Sequence, residues 1–196
     1  MRSPSELARR RIMNTTSNAR DELRIEPCVD AHLQRLSDWL VQQAWPHHAR
    51  VRVDAQWVRE RAAEGYFTGV DVRSFWVEDR ATLPLGLIRV FDLGDVTPLI
   101  DLRIGEAARG RGVGTFALRW LTRFVFDTFP ETHRLGGYTR FDNVAMCRVF
   151  RKCGYVEEAR HRQAWRVEGG GFVDTLGYAI LRSEWSTLDP AGTDRS

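Results

Sequence analysis

Lysine is almost missing from this chain of 196 residues: Lys152 is the sole lysine, while lysine and arginine together number 29. Set against 26 acidic residues, the formal charge is only +3. The arginines are spread along the whole chain, so no concentrated basic patch of the kind that grips nucleic acid is present. Cysteine is equally sparse. Cys28, Cys147 and Cys153 are odd in number and lack metal-ligand or disulfide-framework spacing. That excludes a stapled scaffold or zinc module, and a reducing cytoplasm is the expected compartment. No run approaches the ~20 apolar residues needed to span a bilayer, and the Ser-, Arg- and Asn-rich start from Met1 to Arg20 has no apolar core of a secretory signal. Its Arg/Ser bias also permits a transit peptide, ranked below a disordered tail or an extension ahead of a start at Met13.

What is present fits one folded unit. A hydrophobic share of 43% with 28% charge is ordinary for a globular domain, and the length suits one core. The expected organisation is a disordered tail over residues 1–22, a globular domain over 23–186 and a flexible tail over 187–196.

Within that domain, Leu23 to Val29 reads as a first strand, and Asp30 is placed to cap a helix with Leu33, Leu36 and Leu40 on one face. Asp54 begins a second helix carrying Trp57 and Val58. The intervening AWPHHARVR, with its proline and paired histidines, predicts a mobile loop whose His47 and His48 lie at the surface. Ser74–Glu78, Leu85–Phe91 and Pro98–Ile104 predict adjacent antiparallel strands. An amphipathic helix follows, with Val113, Phe116, Ala117, Trp120, Leu121, Phe124 and Val125 on one face. Beyond Pro130 come a strand over Arg134–Thr139, a helix capped by Asn143 and ended by Gly154, and strands near Tyr155–Trp165 and Asp174–Arg182.

The chemistry concentrates in EAARGRGVGTFALRWL. Glycines 110, 112 and 114 let backbone approach a ligand, and the helix that starts there offers unpaired N–H groups and a positive dipole end. Arg109 and Arg111 add charge, so a pyrophosphate suits the turn better than a carboxylate; an ordinary left-handed turn is the other reading. No Lys-Ser/Thr pair follows the glycines, and the spacing departs from GxGxxG, which removes the P-loop and the dinucleotide fingerprint.

Read in order, these features resemble the GNAT superfamily of acyl-CoA N-acetyltransferases. The Arg/Gln-x-x-Gly-x-Gly/Ala loop falls on Arg109, Gly112 and Gly114, and the Asn-x-x-Ala/Ser…Gly-Phe/Tyr unit on Asn143, Gly154 and Tyr155. The ending FVDTLGYAILRSEW is similar to the RimJ/RimL branch, which acetylates ribosomal-protein N-termini and various small amines. The resemblance implies an α/β (α+β) fold: a mixed, mostly antiparallel sheet of about seven strands, splayed at the coenzyme A site and flanked by about four helices. It implies acetyl-CoA as cofactor, its pyrophosphate on Arg109, Gly110, Arg111, Gly112, Val113, Gly114 and Thr115. The pantetheine arm would pair with the end of DLRIG at Leu102 and Ile104, and an N–H near Ile104 would polarise the thioester carbonyl. Asn143 would bond the pantetheine, with helix capping an equal reading, and Arg148 or Arg151 would meet the adenosine phosphate.

Transfer needs a neutral amine, and an alkylamine of pKa about 10.4 is neutral only to the order of one part in a thousand at pH 7. Asp101, a charge inside the apolar LIDLRI, is the leading base; Leu99, Asp101 and Arg103 share one face of that strand, so an Asp101–Arg103 ion pair on a solvated face is the other reading. Glu78, Asp92, Glu157 and His161 rank below it. Phe150 stands where many members place a tyrosine that protonates the leaving thiolate. The expected acceptor is the amine of a small cationic molecule drawn in by Asp92, Asp95 and Asp101, an aminoglycoside antibiotic such as kasugamycin being one instance. A protein N-terminus is the alternative enzyme reading, and a non-catalytic acyl-CoA sensor the alternative of another class. No metal, nucleic acid or membrane partner is expected, and a homodimer is.

Overall fold

The computed structural model describes residues 23–188. The tail expected over residues 1–22 lies outside the described residues, as does most of the expected C-terminal tail. Its first two residues instead complete a final helix. Seven strands form one mixed sheet in the order β1-β2-β3-β4-β5-β7-β6. They are β1 Arg24–Pro27, β2 Arg73–Glu78, β3 Pro84–Phe91, β4 Leu99–Ile104, β5 Arg134–Arg140, β6 Val156–Arg166 and β7 Phe172–Leu181. Five α-helices, one more than expected, accompany them: α1 Leu33–Val41, α2 Ala55–Ala63, α3 Val113–Thr128, α4 Val144–Lys152 and α5 Arg182–Leu188.

Each face of the sheet carries its own apolar core. On one, α3, α4 and α5 cover Val77, Ile88, Val90, Ile100 and Leu135, with Ala117, Leu118, Leu121 and Val125 of α3 fully buried. On the other, α1 and α2 bury Trp39, Trp45, Val58, Trp76 and Leu87. Asp54 caps α2 as its spacing demands, accepting from the Trp57 N–H at 2.8 Å. Asp30 does not cap α1; it opens a 3-10 turn over Asp30–His32 that leads into the helix, and its carboxylate meets Thr68 instead.

The sheet is antiparallel everywhere except between β4 and β5, which run parallel and pair only at Leu99↔Gly136 and Ile100↔Gly137. Beyond Ile100 the two strands part. Glycine is required at the apex: a Cβ on Gly137 would lie 2.9 Å from Phe150 Cζ and 3.0 Å from Ile100 Cγ1. Because Gly105 N–H bonds Leu85 O of β3 at 2.9 Å, strand alternation turns the N–H and C=O of Leu102 and Ile104 toward the edge that β5 has left. The fold therefore presents a short open strand edge next to the start of α3.

Candidate active site

A cleft of about 400 Å³ opens along that edge, walled by Leu102 and Ile104 of β4, the turn from Ala108 to Thr115, the inner face of α4 and the segment Trp45–His48. The glycine-rich turn forms its floor. Gly110 and Gly112 have φ of 76° and 84°, and no atom lies within 4 Å of where a Cβ would stand on either. Inside α3 the first N–H to find an acceptor is that of Phe116, on Gly112 O at 3.0 Å, so those of Val113, Gly114 and Thr115 have no partner within the helix. Gly112, the N-cap, supplies no side-chain cap. Together these groups could hold a pyrophosphate.

The other expected cofactor contacts divide. Arg109 reaches the cleft, yet its guanidinium is committed to backbone, donating from Nε to Ile104 O at 3.1 Å and from Nη2 to Ala44 O at 3.0 Å. It fastens the end of β4 to the loop after α1. Arg111 is exposed and Arg151 pairs with Glu157 at 3.1 Å, and neither lines the cleft. Arg148 does line it, together with Lys152, one helical turn farther on. Asn143 lines it while performing its capping role: Oδ1 accepts from Met146 N–H at 3.2 Å, and Nδ2 donates to Thr139 Oγ1 at 3.1 Å.

The segment between α1 and α2 departs most from expectation. Rather than hanging loose, it is tied down on both flanks of the cleft, by Arg109 at Ala44 O and by Arg140 Nη1 at Pro46 O, 3.1 Å away. Trp45 is buried, its N–H bonding Val51 O at 2.7 Å and its indole N–H bonding Leu40 O at 3.0 Å. These anchors fix His48, whose Nε2 lies 3.3 Å from Asp101 Oδ1. Burial lowers the His48 pKa below the ordinary value and the nearby Arg103 adds to this; Asp101 and the Leu102 backbone oppose them without reversing the shift. Burial thus disfavours the charged ring.

For Asp101, burial opposes ionisation, but Arg103, His48 and Arg89 outweigh it and hold the carboxyl well below the usual carboxylate range. Arg89 Nη1 and Arg103 Nε stand 3.5 Å and 3.7 Å from its Oδ2. The ion pair with Arg103 thus exists, but not on a solvated face: the Arg103 side chain is only 7% exposed. A carboxylate so strongly acidic is a poor proton acceptor. It suits orienting His48.

The lower-ranked bases lie elsewhere. Glu78 is buried against Arg35 at 2.7 Å, Glu157 is held by Tyr178 and Arg151, Asp92 sits in a turn at φ 57°, and His161 packs near Tyr138. Phe150 is fully buried and stacked on Tyr178 at 4.7 Å. Among the described residues no tyrosine or cysteine lines the cleft. Cys147 and Cys153 are buried, and burial raises the Cys153 thiol to about 11. His48 and Lys152 were not anticipated at the cleft; of these only Lys152, four residues after Arg148, carried a readable signal.

Residues 22–156 match the acetyltransferase (GNAT) domain family. The chain belongs to the GNAT family. It is accordingly an acetyltransferase, and its acyl donor is acetyl-CoA. No curated protein matches it. Among solved structures, this GNAT chain is similar to the spermidine N-acetyltransferase of Vibrio cholerae in complex with CoA and spermine, at 16% identity and a TM-score of 0.70 over 84% of this chain and 98% of that one. The same enzyme in a dodecameric intermediate state aligns at 15% identity and a TM-score of 0.68, covering 87% and 99%. Among the described residues no helix is long and apolar enough to cross a membrane.

Proposed function

We propose that this GNAT enzyme transfers acetyl directly to a primary amine of a small molecule, with His48 as general base and Asp101 as its positioning residue. The observation that carries the reading is the His48–Asp101 pair, 3.3 Å apart, with His48 on the cleft wall beside the open edge of β4. Acetyl-CoA supplies an activated acyl carbon. The N–H groups of Gly112 to Thr115 with Arg148 and Lys152 would neutralise its phosphates, and Asn143 would fix its arm. An N–H of the open edge, Ile104 or Leu102, would face the negative charge that develops on the carbonyl oxygen. The amine lone pair would form the C–N bond as the C–S bond breaks, and the amine proton would pass to the His48 ring. The products are an amide and the coenzyme A thiol, reprotonated from His48 or water, because Phe150 has no proton to give.

Direct transfer is supported by burial of the Cys147 and Cys153 thiols and the raised Cys153 pKa. Polyamines join aminoglycosides such as kasugamycin as acceptors to assay, since the similar Vibrio cholerae enzyme bears the name spermidine N-acetyltransferase. An assembly of several copies belongs to the same reading, as that enzyme is described as dodecameric; light scattering measures it. The test of function is thiol release from acetyl-CoA with aminoglycosides, polyamines, amino acids and N-terminal peptides. Tight coenzyme A binding without turnover on any amine would favour the sensor instead.

A further inference from the structure

On the α1–α2 face of the sheet, behind His48, two arginines share one carboxylate. Arg89 of β3 and Arg103 of β4 have side chains 4% and 7% exposed, and both turn toward Asp101. Neither contact is tight, at 3.5 Å and 3.7 Å. Arg89 Nε and Arg103 Nη1 are buried and without a hydrogen-bond partner. Arginine carries five donors and no acceptor, and buried guanidinium donors are ordinarily satisfied. What surrounds these two instead is aromatic: Arg89 lies 3.6 Å over the Tyr66 ring and 5.0 Å over Phe91, and Arg103 5.2 Å over Trp45. Aromatic faces hold a guanidinium flat and leave its edge for a planar anion.

Asp101 can neutralise only one of the two, and it also stands 3.3 Å from His48, whose charged form burial disfavours. The cluster therefore retains one buried positive charge and several unused donors. Trp45 connects it to the cleft, since the ring that stacks on Arg103 also lines the cleft wall beside His48. Neither arginine lines the cleft itself; His48, which does, lies 3.3 Å from the Asp101 that both arginines face. Bringing an anion there would supply the missing counter-charge, whereas a polycation would add to the excess.

We propose that Arg89 and Arg103 form an anion subsite of the acceptor pocket, so that the acceptor is a zwitterionic amine bearing a carboxylate or phosphate rather than a polycation. This rests on the acetyltransferase reading above and narrows its acceptor class. Guanidinium pairs recognise both anions by paired N–H donors, and the neighbouring Tyr66, Phe91 and Trp45 favour an acceptor with an apolar body.

The test compares paired probes that differ only in the anionic group: tyrosine with tyramine, tryptophan with tryptamine, ornithine with putrescine, and phosphoethanolamine with ethanolamine. Acetylation by the wild-type protein is expected to favour the anionic member of at least one pair by 100-fold or more in kcat/KM, and the phosphoethanolamine arm tells phosphate from carboxylate. Arg103→Gln should erase that preference mainly through KM, and Arg103→Lys should restore part of it. Calorimetric titration of the same probes into the coenzyme A-loaded protein reads the anion contact without turnover. Equal or better acetylation of the decarboxylated amines would overturn the subsite while leaving the acetyltransferase reading intact. Absence of turnover on every probe, with anionic members still bound preferentially, would overturn the catalytic reading and leave the subsite. Absence of any preference in both assays overturns the subsite.

Discussion

Asp101→Asn removes the only carboxylate between two buried guanidinium groups while preserving shape. Unit charges about 4 Å apart attract by about 4 kcal/mol at an effective dielectric near 20, and removing one partner of a buried pair typically costs about 3–5 kcal/mol because the other charge is left uncompensated. Asp101 stands 3.5 Å and 3.7 Å from its two partners and is 22% exposed, so the lower half of that range applies, about 3–4 kcal/mol. For a domain of this size that corresponds to a fall in Tm of roughly 6–16 °C. The pH dependence has a definite sign. The folded carboxyl titrates below its ordinary value, so its contribution is complete above about pH 4 and is lost as pH falls through the folded value. The variant should therefore flatten the acid limb of a Tm-versus-pH curve measured by calorimetry. Turnover should fall by about 10²–10⁴ because His48 loses its orienting partner, with coenzyme A affinity changed far less. Adding Arg103→Gln should recover about 1 kcal/mol or more of stability and none of the turnover. A variant within about 2 °C of wild type with full turnover would return Asp101 to an incidental surface charge.

His48→Asn should lower kcat by about 10²–10⁴ with coenzyme A affinity unchanged in calorimetry; unchanged kcat removes it as the base. In the wild type, NMR should show the His48 ring titrating below 6.5, and its contribution to stability should be complete above that pH and decline as the ring protonates in acid. Gly112→Asp sets a negative charge at the open start of α3, so coenzyme A binding should weaken at least about 100-fold; its φ of 84° adds backbone strain of about 1–2 kcal/mol, small enough for the fold to be retained. Phe150→Tyr, which restores the phenol common in related enzymes, should cost about 1–3 kcal/mol and give no gain in rate, since Phe150 Cζ already faces the backbone of Gly137 in a fully buried site. The Cys147→Ala, Cys153→Ala double variant should keep its turnover; a folded, inactive protein would reinstate an acyl-enzyme route.

The strands and helices were legible because each carries its own period. β2, β3 and β4 appear within a residue of the expected limits, and α3 begins at Val113, within the glycine turn. Asn143 and Asp54 cap as their spacing requires. Boundaries failed where a local alternative competed. Asp30 is spent on a 3-10 turn and on Thr68, so the first full helix starts at Leu33 without it.

The donor half of the site was legible for the same reason: a glycine turn, a helix start and an Asn cap are local features, and the fold closes them around one cleft. The base was not. His48 gains its meaning from Asp101, which lies in a different element, and nothing in PHHAR encodes that meeting. The contact exists because Arg109 and Arg140, from opposite sides of the splay, pull Ala44 and Pro46 across it. Arg109, which reads in the sequence as a phosphate ligand, also bonds Ile104 O and Ala44 O and so ties β4 to the segment that carries the histidine. The same logic applies to Arg103, which reads as half of an ordinary surface pair until the fold covers its face and stacks Arg89 beside it. On the proposed reading, acceptor chemistry depends on the packing between the α1–α2 segment and the centre of the sheet. Substitutions that alter specificity should map to that interface, at Trp45, Tyr66, Arg89 and Arg103, rather than to the glycine loop.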